Sequence, residues 1–186
     1  PNAATVTISR LNSTTARLSW PTVTGVDGYH IYRDTIPYFT PTGAPYATAT
    51  AGPYDDVGAL GDIATNYFYV IRSACTNGFE SVNSNRVGEF DYQVFKTVTT
   101  SFSWVAIVLD NTGITKASQL AAHIETNTNT SVVVSAIAQW NSASQTTQTY
   151  NHVYQFGDFD LSLQVPYRVT LSSSPTSTAI WTQVGQ

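Results

Sequence analysis

The sequence predicts a mainly β protein of two modules: a two-sheet β-sandwich over residues 1–95, then an antiparallel β module with one short helix over 96–186. Three observations lead there. Short runs in the first half alternate apolar and polar residues, the period of a half-buried strand. Turn-forming residues separate those runs at the spacing of a sandwich. Only one segment, near residues 115–124, repeats its apolar residues at helical spacing.

In chain order, Val6 and Ile8 alternate with Thr5 and Thr7, and Asn12-Ser13-Thr14 turns the chain. Leu18 and Trp20 share a face of the next strand, which Pro21 ends. Tyr29 and Ile31 share a face of a third strand, opened by Gly25 and Gly28. Thr35 to Asp56 is rich in Pro, Gly and Ala and leaves the middle strands undefined. Tyr67, Tyr69 and Ile71 line a later strand, and Val87 and Phe90 the last of the module. Tyr92 to Thr100 reads as a short, stiff junction. Beyond it, Trp104 to Leu109 reads as a buried strand ending in the turn formers Asp110-Asn111-Thr112-Gly113. Thr115 suits a helix N-cap. Ala117, Leu120, Ala121 and Ile124 form one helix face. Strands are expected near Val132–Trp140, Gln148–Tyr154, Phe159–Leu163, Tyr167–Leu171 and Ala179–Val184.

Four features make residues 1–95 resemble a fibronectin type III domain, an immunoglobulin-like sandwich. They are Ala16-Arg17-Leu18-Ser19-Trp20 followed by Pro21, the strand Gly28-Tyr29-His30-Ile31-Tyr32-Arg33, Leu60 ahead of Tyr67, and the long run Tyr67 to Ala74. The resemblance implies that Trp20 fills the space between sheets and that Tyr67 stands at a tyrosine corner. Tyr-His-Ile-Tyr-Arg-Asp, Pro37-Tyr38-Phe39 and Ser84-Asn85-Arg86-Val87 look like the version found in exported bacterial multidomain proteins. Arg33 departs from the pattern, which places a second inward tyrosine there. No Arg-Gly-Asp occurs, so integrin binding is not implied. The second half resembles a β-rich module attached to such proteins, with its opening Trp104 strand, Ala-Ser-Gln-Leu-Ala helix and closing Trp181-Thr182.

Composition narrows the function class. Charged residues make up 11% of the chain, and Ser with Thr about a quarter, so solubility rests on hydroxyls and amides, as in exported β-proteins. A net charge of −4, with lysine only at 96 and 116, argues against nucleic acid, which needs clustered cations. No apolar run reaches the length of a membrane span. The chain starts at Pro1 and has no methionine, which reads as a processed product or excised fragment of a secreted or cell-surface protein. The single Cys75 excludes an internal disulfide and reads as a small buried hydrophobe, with an intermolecular bridge as the alternative.

No constellation for catalysis emerges. His30, His123 and His152 have no metal-ligand spacing and read as surface residues. Asp55-Asp56 sits in a turn. Asp158 and Asp160 alternate along a strand edge, a spacing a glycosidase pair could share with any exposed strand. Neither a nucleophile elbow nor a phosphate loop is present. The reading is therefore of no enzyme, no cofactor and no metal. Tyr32, Tyr38, Phe39, Tyr46 and Tyr54 lie in or near loops and offer a carbohydrate-stacking surface. Asn12 and Asn129 head sequons, making the chain a candidate glycoprotein. The function expected is a structural or adhesive extracellular module, with partners that include copies of itself. Ala4–Ser9, an uncharged edge, would pair such copies into a layer or filament. The alternative is a carbohydrate-binding accessory region of a larger secreted hydrolase.

Overall fold

The computed structural model describes residues 1–97, 99–110, 113–175 and 177–186. It is mainly β, with 41% of residues in strands and 6% in helix, a single helix among the described residues. Two compact units divide it, Pro1–Phe90 with Val184–Gln186 and Asp91–Gln183.

The first unit is a two-sheet sandwich. One sheet has the order β1 (Thr7–Arg10), β2 (Thr15–Ser19), β5 (Tyr54–Val57). In the other, β3 (Gly28–Asp34) lies between β4 (Ala47–Ala49) and β6 (Phe68–Ala74), and β6 pairs with the start of β7 (Val87–Val94). All pairings are antiparallel. The alternation read in the sequence decides what is inside: Leu18, Tyr29, Ile31, Tyr69 and Ile71 are buried together with Val6 and Trp20. The Trp20 and Tyr29 rings meet at 5.2 Å, and the Tyr29 hydroxyl accepts the Val23 N–H at 2.7 Å. A buried aromatic thus fills space while its polar tip stays bonded. The expected Ala4–Ser9 strand starts later, at Thr7. Val6 is drawn inward, and Asn85 takes both its N–H and its carbonyl, each at 2.8 Å.

The second unit packs α1 (Ala117–Asn127) on the antiparallel sheet β10 (Thr146–Asn151), β9 (Val134–Asn141), β11 (Pro166–Leu171), β8 (Phe102–Ala106). Leu120, Ala121 and Ile124 of the helix meet Val105, Ile137, Tyr167 and Val169 of the sheet in one core. β12 (Ala179–Gly185) brings in Trp181, which stacks on Tyr92 at 5.5 Å, and Thr182 donates to Asp91.

Three expectations need correcting here, and a fourth lies partly outside the described residues. Residues 107–109 lie beyond the end of β8; the N–H groups of Val108 and Leu109 go to the side-chain oxygen (Oε1) of the buried Gln183 at 2.9 and 2.8 Å. The turn expected at 110–113 includes Asn111 and Thr112, which fall outside the described residues. The helix N-cap is Lys116, not Thr115, because the Gln119 side chain accepts both the Thr115 and Lys116 N–H groups. Phe159–Leu163 forms no strand but an isolated bridge, Asp160 to Lys116, which clamps the segment before the helix.

Candidate functional site

Arg33, the departure from the sandwich pattern, is explained by what faces it. It points inward from β3, on the same side as Tyr29 and Ile31, and meets the buried Asp56 of the opposite sheet at 2.8 Å. Its guanidinium lies over the Tyr46 ring at 3.7 Å and the Tyr67 ring at 4.1 Å. Asp56 also accepts the Tyr69 hydroxyl at 2.9 Å and the Tyr46 hydroxyl at 3.0 Å. Burial, reinforced by the neighbouring carboxylate, pushes the Tyr46 phenol up to about 12 and the Tyr69 phenol higher still. Both phenols therefore remain donors, and both oxygens of Asp56 accept. Such a group ties the two sheets together. Tyr67, expected at a tyrosine corner, packs with Leu60, Ala16 and Ala59 as well as beneath Arg33.

A second cluster lies on the outward face of β3 and β6, where His30 stands opposite Arg72. Glu80 gathers it, accepting from His30 Nδ1, from the Tyr32 hydroxyl at 2.8 Å and from Arg72 at 2.9 Å. Burial alone would raise the Glu80 carboxyl, but the bonds from Arg72, His30 and Tyr32 outweigh it and hold the group at about 2. His30 thus lies on the outward face, as expected, but is half-buried and engaged. Beside it, Asp27–His30, Thr48–Thr50 and Ala74–Thr76 border a shallow groove of about 290 Å³. Cys75 lies at its rim, a free and only partly buried thiol instead of a core residue.

Three of the five aromatics, Tyr32, Phe39 and Tyr46, line one hollow of about 200 Å³. Tyr32 is buried and its hydroxyl is taken by Glu80, and one face of Tyr46 is covered by Arg33, so the hollow offers little open ring. Tyr54 packs on the sandwich core. Tyr38 stands out at 85% exposure on a loop that Arg86 braces through the Phe39 carbonyl at 2.6 Å. Asn12 is exposed with its carbonyl oxygen bound to the Thr14 N–H at 2.9 Å, and Asn129 is exposed and accepts the Ile180 N–H at 2.8 Å.

In the second unit several titratable groups are likewise engaged. Asp158 accepts the Ser118 N–H at 3.0 Å and its hydroxyl at 2.7 Å, at the first turn of α1. Asp160 pairs with Lys116 at 2.7 Å. The Trp181 indole donates to His123 at 2.9 Å, and His152 lies 3.5 Å from Glu125. Among the described residues no three His, Cys, Asp or Glu side chains are grouped to hold a metal. Trp104, expected within a buried strand, is 56% exposed. The signal was present, since Phe102, Trp104 and Ala106 alternate with the buried Ser103 and Val105.

No family model matches the chain, and no curated protein matches it. One solved structure it is similar to is an Fn3-like protein from Clostridium thermocellum, 29% identical, covering 46% of this chain and 84% of that one at a TM-score of 0.31. That low score leaves the fold assignment to the strand order and core described above. On those grounds the chain is a mainly β protein whose first unit is a two-sheet antiparallel sandwich.

Proposed function

We propose that this chain is a non-catalytic structural and adhesive module of an extracellular protein, of the kind found in exported bacterial multidomain proteins. One observation carries the reading: three carboxylates are held in ion pairs, Asp56 with Arg33 across the two sheets, Glu80 with Arg72, and Asp160 with Lys116 ahead of the helix. Those pairs fix strands and leave the surface to hydroxyls, amides and exposed rings. Assembly with further copies is part of the proposal. With the Val6 backbone taken by Asn85, the edge best suited to it is β10, whose residues Thr146 to Thr149 are exposed and uncharged on the rim of their sheet.

Sedimentation velocity over a wide concentration range tests the assembly, with oligomers growing with concentration as the expected result. Monomers alone at high concentration would count against it. A screen for glycoside hydrolysis tests the other half, and turnover that Asp158→Asn abolishes would overturn it. The second reading, a carbohydrate-binding accessory region, is favoured by the braced and exposed Tyr38. Loss of glycan binding in Tyr38→Ala is its supporting result.

A further inference from the structure

The outward face of the β10-β9-β11-β8 sheet carries aromatic rings that the core does not use. Arg168 pairs in register with Trp104 of β8 on one side and with Ala138 of β9 on the other. Thr149 of β10 pairs with Ala138, and Thr147 with Trp140. Directly paired residues share a face and so do residues two apart along a strand. Trp104, Arg168 and Trp140 therefore stand on one side, opposite the core side of Val105, Ile137, Tyr167 and Val169. Trp104 and Trp140 are 56% and 54% exposed. The two tryptophans are two strands and one pleat apart, which sets their Cα atoms about 12 Å apart at ~4.8 Å between strands and ~3.4 Å per residue.

The surrounding chemistry selects the occupant. Phe102 props Trp104 edge-on at 6.0 Å, and the Arg168 guanidinium lies 5.5 Å from the Phe102 ring. Arg168 makes no ion pair among the described residues, and its Nε is buried without a hydrogen-bond partner. Around these rings lie Thr147, Thr149 and Thr170. Separated indole planes, a guanidinium in no ion pair among the described residues and rows of hydroxyls match a chain of pyranose rings, whose C–H faces stack on aromatics while their hydroxyls take hydrogen bonds. The chain's net charge of −4 disfavours a polyanion.

We infer that this face is a binding platform for a neutral polysaccharide, with Trp104 and Trp140 as stacking planes and Arg168 as donor between them. The inference rests on the adhesive reading and gives it a ligand class. Affinity electrophoresis of the whole chain through gels holding β-glucan, xylan, mannan or alginate tests it. Retardation is expected in at least one neutral gel. Trp104→Ala and Trp140→Ala should each weaken it by about tenfold or more, the loss of one stacked ring, with circular dichroism unchanged because both rings are exposed. Tyr38→Ala should leave retardation as it was. Retardation in no neutral gel, stronger retardation by alginate, or loss through Tyr38→Ala alone overturns the platform. Release of sugars from a gel that retards the chain would overturn the non-catalytic reading and leave the platform standing.

Discussion

Arg33 shows how one side chain can break a pattern without breaking the fold. An inward arginine in a sandwich core is costly unless a carboxylate meets it and its remaining groups are satisfied. Asp56, 1% exposed, meets it, and Tyr46, Tyr67 and Tyr69 close around the pair. Asp56→Ala should therefore cost about 3–5 kcal/mol, since it strands a desolvated guanidinium; urea unfolding measures it, and a loss near zero would show the pair to be incidental. Glu80 makes a second, pH-dependent case. Its folded value of about 2 lies below the ordinary 4.5, so its contribution is whole above pH about 4.5 and is lost as pH falls toward 2. Melting temperatures across that window should fall less steeply for Glu80→Gln than for the natural chain. Parallel slopes would mean that other carboxylates carry the acid sensitivity.

Among the elements, α1 and β7 depend on partners distant in sequence. The first turn of α1 contains no acidic residue, and the missing charge comes from Asp158, forty positions on. A carboxylate there meets orphan N–H groups and the positive end of the helix dipole. Asp158→Asn should lower stability by about 1 kcal/mol without altering the sheet, read from helix and strand signals in circular dichroism. On β7, Gly88 lies opposite Phe68, and a Cβ there would fall 2.4 Å from the Phe68 ring. Gly88→Ala should cost about 1–3 kcal/mol, the usual effect of overpacking, and Phe68→Leu in the same chain should recover part of it. An additive pair of losses would exclude that clash as the cause.

Across the molecule, the question is which edges and faces remain open. β10 combines an outer position with exposed, uncharged residues, and a charge on such an edge blocks strand addition. Gln148→Lys should abolish concentration-dependent assembly in sedimentation velocity while leaving the melting temperature unchanged. Persistence of oligomers would move the contact away from this strand. The same unit turns its tryptophans to opposite uses, with Trp181 buried against Tyr92 and Trp104 and Trp140 on the outward face.

The mainly β fold, the sandwich of the first unit and the helix face Ala117–Ile124 were legible in the sequence, because period and turn chemistry are local properties. Burial of Leu18, Trp20, Tyr29, Ile31, Tyr69 and Ile71 follows from alternation alone. Register and neighbours were not legible. That Arg33 finds Asp56, that Asp158 caps a helix rather than lining a cleft, and that Trp104 faces outward opposite Arg168 all depend on which strands lie side by side. A strand's sequence states which residues share a face, but only pairing across many intervening residues decides what that face meets.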